Sequence, residues 1–298
     1  MARDDGIRLV ACDLDGVLWR GSRVLPGARE GLQEVVRRGL DLRYVSNNST
    51  AHRESVSERL REMGFPYGAE RVLTSGFATA RWLRERLPEG APVLVVGEEG
   101  LVRELCEAGL AASLASERLA SAASAAAGPD ALDATAPGTA AAPAAVVVGM
   151  DRSFCYETLA AAQASIMGGA LFVATNSDAT FPTPDGLLPG SGSIVAAVAA
   201  AAGAEPVVMG KPGLALAEVL ASVTGVPAAQ TLFVGDRLST DIAMGRAAGM
   251  VTLLVMTGVT DEDDLRAAAG DERLEHVLPD HVLPDLGGLP GLLDELGA

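Results

Sequence analysis

Apolar and polar positions follow two rhythms along this chain, and the rhythms take turns. Strand-like runs rich in apolar residues at 8–13, 41–46, 92–97, 145–149, 170–174, 231–235 and 251–256 predict short buried strands. Between them apolar residues recur every three or four positions. In 27–38, Ala28, Leu32, Val35 and Val36 share one helical face while Arg29, Glu30, Glu34 and Arg37 take the others. The same spacing predicts helices over 53–63, 75–87, 98–108, 156–167, 190–202, 213–223 and 239–248. Strand and helix in alternation give an α/β protein with parallel sheets wrapped by helices. Open sheets of this kind bind ligands beyond the carboxyl ends of their strands, so the residues just after each strand are where chemistry is to be sought.

Two segments break the rhythm. Residues 113–145 hold 15 alanines in 33 positions, with Gly128-Pro129, Pro137-Gly138 and Pro143 and no aromatic residue. They predict a low-complexity insertion, largely unordered or partly helical. Near the end, His276-Val-Leu-Pro-Asp280 is followed at once by His281-Val-Leu-Pro-Asp285, which reads as a strand and turn duplicated rather than as a histidine metal site.

Composition narrows the class. The 298 residues suffice for a large core and lie near the length at which one core divides in two. A net charge of −16 argues against nucleic acid and anionic membranes as partners, since both need a basic surface. The start, Met1-Ala2-Arg3-Asp4-Asp5, is too acidic for a signal segment, and no apolar run reaches the length of a membrane span. Cys12, Cys106 and Cys155 are expected to be buried free thiols in a reducing, cytoplasmic setting.

Chemistry concentrates in four places. Leu9-Val10-Ala11-Cys12 leads into Asp13-Leu14-Asp15-Gly16, and a period of two places both carboxylates on one side of the strand. Such a pair can hold a divalent cation or divide the work of nucleophile and proton donor; it can also be a strand end with two solvated aspartates. Ser46-Asn47-Asn48-Ser49 closes the second strand and offers a hydroxyl, two amides and main-chain N–H groups, a neutral anion cradle or an ordinary cap and turn. Gly210-Lys211-Pro212 contains the only lysine of the chain, against 22 arginines, a compact point charge where a guanidinium will not serve. Gly235-Asp236 ends a further strand, and Asp241 opens the next helix. Nucleotide-binding alternatives fail: Gly190-Ser191-Gly192 lacks the third glycine, Val195 standing there, and no Walker A sequence is present. Together the four pieces describe a hard-cation site suited to Mg²⁺, waters and a phosphate.

This ordered set, Asp13-x-Asp15-Gly16-Val17-Leu18, Ser46-Asn47-Asn48-Ser49, Gly210-Lys211-Pro212 and Gly235-Asp236 with Asp241, resembles the haloacid dehalogenase superfamily. More closely it is similar to the p-nitrophenylphosphatase-like and NagD-like branch, which Val148-Gly149-Met150-Asp151, Ala174-Thr175-Asn176-Ser177-Asp178 and Pro189-Gly190-Ser191-Gly192 also resemble. The resemblance implies a Rossmann-like core in two parts, 1–87 and 184–298, interrupted by an α/β cap at 88–183 that contains the alanine-rich segment. It also implies a magnesium-dependent phosphomonoesterase. Asp13 would be the nucleophile and Asp15 the general acid and base. The ion would be held by the Asp13 carboxylate, the Asp15 main-chain carbonyl and Asp236, with Asp241 direct or through water. Ser46, Asn47, Asn48 and Lys211 would bind the phosphate, and Phe181, by its likeness to a cap position that meets substrate, the organic group. The expected substrate is a small phosphate ester, with glycerol phosphate, phosphoglycolate, pyridoxal phosphate, sugar phosphates and nucleoside monophosphates all open. A homo-oligomer formed through the cap is left open too. The alternative is a phosphate-binding regulator with the same fold and negligible turnover, which would have no need of Asp15.

Overall fold

The computed structural model describes residues 6–126, 142–183 and 186–298, without the side chains of 121–126 and 182–183. Its first elements are β1 (Leu9–Cys12), β2 (Trp19–Arg20), β3 (Arg23–Val24), α1 (Ala28–Arg37), β4 (Asp41–Ser46), α2 (Arg53–Glu62) and β5 (Val72–Thr74). Next come α3 (Ser75–Arg84), β6 (Pro92–Val96), α4 (Glu99–Glu107), β7 (Ala111–Leu114), α5 (Ala115–Ala126), β8 (Ala145–Val148), α6 (Tyr156–Met167) and β9 (Leu171–Ala174). The chain continues through β10 (Thr180–Thr183), β11 (Gly186–Pro189), α7 (Ser191–Ala202), β12 (Val207–Val208) and α8 (Leu214–Thr224). It closes with β13 (Thr231–Gly235), α9 (Ala243–Ala248), β14 (Val251–Val255), α10 (Glu262–Ala269), β15 (His281–Leu283) and α11 (Leu289–Glu295).

Two compact units result, one of 1–47, 53–74 and 210–298, the other of 48–52 and 75–209. The first is built on a parallel sheet in the order β15-β14-β13-β1-β4-β5. Strands β1 and β13 are buried along their whole length, as a sheet covered on both faces requires, and their residues are accordingly apolar almost without break. From β1 the chain steps outward to β4 and β5 on one side, and from β13 to β14 and β15 on the other. The order therefore reverses between β1 and β13, and it is beyond the carboxyl ends at such a reversal that open sheets of this kind bind ligands. Helix α1 buries Ala28, Leu32 and Val35 as expected, but Val36 is exposed.

The second unit holds its own parallel sheet, β12-β9-β8-β6-β7, and a β10–β11 hairpin. Val96, Val146, Val148, Phe172, Val195 and Val198 form its core. Its bounds differ from the expected 88–183. Helix α3 packs on α4, α7 packs on α6, and β12 pairs with β9, so 75–87 and 184–209 join this unit. The alanine-rich segment is not simply irregular: it supplies the end of β7 and all of α5, while 127–141 lies outside the described residues. The tail repeat gives two unlike structures. The second copy forms β15 on β14, whereas the first ends a 3-10 turn and leaves Asp280 to bond Thr252. Among the cysteines only Cys12 is buried; Cys106 and Cys155 are exposed, because each sits on the solvent side of a helix or at its start.

Candidate active site

Strand β1 stops at Cys12, so Asp13 and Asp15 are not two steps of one strand. Asp13 still follows the sheet, its N–H bonded to the Val234 carbonyl, and is 9% exposed. Gly16 then takes a φ of 86°, a left-handed turn that disfavours a side chain. Asp15 ends up exposed beyond the strand, its Oδ1 accepting from the Trp19 indole N–H at 2.8 Å.

Lys211, 3% exposed, brings the site together. Its ammonium donates to Asp13 Oδ1 at 2.6 Å and to the Val45 carbonyl at 3.2 Å, and it pairs by charge with Asp241 Oδ1 at 2.7 Å. Burial alone would push its pKa down, but the two carboxylates outweigh that and hold it above the ordinary lysine value. The main chain of Lys211 is fixed in turn by Asn47, whose Oδ1 accepts from Lys211 N at 2.8 Å and whose Nδ2 donates to the Lys211 carbonyl at 3.0 Å. Asn47 thereby holds the main chain of Lys211 beside the end of β4. Ser46 is buried at the end of β4, beside the Val45 carbonyl that Lys211 uses.

Asp236 and Asp241 complete the group. Asp236 Oδ2 accepts from Val259 N at 2.7 Å, and a Cβ added at Gly16 or Gly258 would run into its carboxylate. Asp241 lies in a wide helical turn, Leu238–Ile242, ahead of α9. Its Oδ2 accepts from the main-chain N–H groups of Asp236 and Arg237, so it caps the strand-end turn and not the expected helix.

Asp13, Asp236 and Asp241 each offer an oxygen within 4.8 Å of the others. Three buried carboxylates therefore face one ammonium. Burial, with Asp241 and Asp236 adding to it and Lys211 opposing, pushes Asp13 well above the usual carboxylate range. Burial and the nearby Asp241 push Asp236 up to about 7. In both, burial leads and the crowding of like charges adds to it. An all-oxygen donor set of this kind fits a hard divalent cation. The Asp15 side chain is not one of the three that form this group.

Two expected residues belong to the second unit. Asn48 is exposed, and its Oδ1 accepts from both the main-chain N–H and the hydroxyl of Thr50 in a local turn. Phe181 is half-buried in β10. Sequence reasoning missed a further group there. His52 Nε2 lies 3.2 Å from Glu107 Oε2 and 3.6 Å from Glu104 Oε1, tying the 48–52 segment to α4. Its signal, a lone histidine and two glutamates far apart in sequence, was too diffuse to read. The role of Trp19 was equally hidden.

Comparison with known proteins agrees with this geometry. A Haloacid dehalogenase-like hydrolase family model matches residues 10–111, and a HAD-hydrolase-like one matches 208–289. A glycerol-3-phosphate phosphatase from Gallus gallus is 37% identical over 289 residues, covering 95% of this chain and 91% of that one. The solved p-nitrophenyl phosphatase from Archaeoglobus fulgidus superposes with a TM-score of 0.81 at 31% identity, covering 97% of this chain and 99% of that one. A glycerol phosphate phosphatase from Mycobacterium tuberculosis, solved in complex with magnesium, gives 0.78 at 35% identity, covering 96% and 76% respectively. Among the described residues no helix is long and apolar enough to cross a membrane. The sheet order, the ordered motifs and these likenesses agree, and the chain belongs to the haloacid dehalogenase-like hydrolases as one of their phosphatases.

Proposed function

We propose that this phosphatase hydrolyses a small organic phosphate monoester in the cytoplasm, with Mg²⁺, through an aspartyl-phosphate intermediate on Asp13. The observation that carries the reading is Lys211 bridging Asp13 and Asp241 at 2.6 and 2.7 Å while Asp236 closes the carboxylate group. Lys211 fixes the direction of the Asp13 carboxylate, whose oxygen attacks phosphorus. Asp15 protonates the departing ester oxygen and then takes the proton of the water that hydrolyses the intermediate. Ser46 and Lys211 bind the phosphoryl oxygens as charge spreads over them, and Asn47 keeps Lys211 in place. Asp13, Asp236 and Asp241, with the Asp15 carbonyl, would hold Mg²⁺, which when bound offsets the charge of nucleophile and phosphate. The Mycobacterium tuberculosis and Gallus gallus relatives are named for glycerol phosphates, and such a three-carbon ester is the first substrate to try. Phe181 in the hairpin is the residue proposed to meet the organic group.

The test is Asp13→Asn, assayed for phosphate release from p-nitrophenyl phosphate and glycerol phosphate with Mg²⁺. The variant is expected to keep its fold by circular dichroism and lose turnover on both esters. Turnover near that of the unaltered protein would end the assignment.

A further inference from the structure

One buried contact is left over by this mechanism. Trp19 is 1% exposed, and a buried indole must find an acceptor for its N–H. Main-chain carbonyls are the common supply, yet here the acceptor is the carboxylate of an exposed aspartate, Asp15 Oδ1 at 2.8 Å. An exposed aspartate otherwise moves among several rotamers. Fixing one of its oxygens fixes the direction of the other.

The ring that does this is itself held on every side. Phe65 meets it edge-on, with centroids 6.0 Å apart and an interplanar angle of 61°. The Arg59 guanidinium lies 4.4 Å above its face and also donates to the Gly21 carbonyl at 2.6 Å. Arg20, next along β2, donates to the Thr257 and Gly258 carbonyls at 2.7 and 3.0 Å. The Thr257 hydroxyl in turn donates to the Gly16 carbonyl at 2.7 Å, and Gly16 N–H to the Trp19 carbonyl at 2.8 Å. The turn bearing Asp15 and the hairpin bearing Trp19 are thus one braced piece.

We infer that Trp19 is a positioning residue for proton transfer, its indole N–H holding Asp15 so that the second carboxylate oxygen serves the leaving group. The inference rests on the proposed reading of Asp15 as proton donor. In the step it supports, the Asp15 O–H bond breaks and its proton goes to the bridging ester oxygen. That oxygen keeps the electron pair of the breaking P–O bond and departs as an alcohol, while the indole keeps its N–H throughout.

Proton donation matters most for basic leaving groups: p-nitrophenolate departs without it, an alkoxide does not. Trp19→Phe retains the ring and removes the N–H. Its kcat/KM on glycerol phosphate, which reports the departure of the alkoxide and not the later hydrolysis of the aspartyl phosphate, is expected to fall about three- to tenfold, the scale of one hydrogen bond. Its kcat/KM on p-nitrophenyl phosphate stays within about twofold. Combined with Asp15→Asn, the same substitution is expected to change neither rate further. A uniform loss on both esters, no loss on either, or the same loss in the Asp15→Asn background overturns the inference and leaves the role of Asp15 intact. If Asp15→Asn alone lowers kcat/KM equally for both esters, Asp15 is not the acid and the positioning role falls with it. Should Trp19→Phe not fold, Arg59→Gln, on the exposed side of α2, is read the same way. A loss selective for glycerol phosphate supports the inference; a uniform or absent loss overturns it.

Discussion

Asn47 bonds the main chain of Lys211 through both ends of its amide, pairing with it as one peptide group pairs with another. Asn47→Ala strands a donor and an acceptor in a partly buried place, at a cost of about 1–3 kcal/mol. It also lets the lysine drift from Asp13, so thermal stability and turnover of p-nitrophenyl phosphate are expected to fall together. Lys211→Arg makes the complementary test, because it keeps the charge and changes the shape. A planar fork cannot meet the three acceptors around one ammonium in a pocket only 3% exposed. Turnover is expected to drop by about a hundredfold or more, the scale of a lost transition-state contact; a milder loss would mean that charge alone is what the site needs. The rarity of lysine in this chain pointed to Lys211. Rarity marks a position, however, and not its partner. The pairing of Asn47 with a residue 164 positions away is not written in its type. Trp19, one of two tryptophans, is no more legible, since a tryptophan after an acidic turn is indistinguishable from core.

At the scale of elements, the tail repeat shows how far a pattern can be trusted. Two identical pentapeptides become a strand and a loop because only one of them reaches the free edge of β14. The loop copy is put to use. Asp280 accepts from the main chain and hydroxyl of Thr252 at 2.9 and 2.8 Å and pairs with Arg246 at 2.6 Å. Burial would raise its pKa, but the Thr252 hydrogen bonds and Arg246 outweigh that and lower it. The folded protein therefore holds the charged form more tightly than the unfolded chain does. That contribution is full above the ordinary aspartate value of 3.8 and is lost as pH falls through it. Asp280→Asn is expected to lower the melting temperature at pH 7 and to narrow its gap to the unaltered protein as pH falls below about 4; a gap independent of pH would remove the ionised form from the account. Long elements with seven or more residues of clear period were legible, as α1, α6 and α8 are. The three-residue β5 and the two-residue β2 and β3 were not, for a period needs more than one repeat to be visible. Unit bounds escaped for a different reason: α3 follows α4 by packing, which local sequence does not encode.

For the whole molecule, a net charge of −16 and a buried group of three carboxylates raise one question, what offsets the repulsion. Distant surface charges are screened by ordinary salt, and their removal would be matched by any electrolyte. The buried group is different, because Lys211 supplies one positive charge beside three crowded carboxylates where water and counter-ions scarcely reach. A cation that binds the folded chain alone stabilises it by mass action, about 2.7 kcal/mol at a hundred times its dissociation constant. Mg²⁺ is therefore expected to raise the melting temperature by a few degrees, whereas NaCl of equal ionic strength does not. Asp236→Asn separates the two sources cleanly. It removes one of the crowded like charges, so without Mg²⁺ it is expected to melt no lower than the unaltered protein, and its response to Mg²⁺ is expected to vanish. If Mg²⁺ stabilised Asp236→Asn as strongly as the unaltered chain, the cation would be acting on the acidic surface at large, and the carboxylates beyond β1 and β13 would not be its seat.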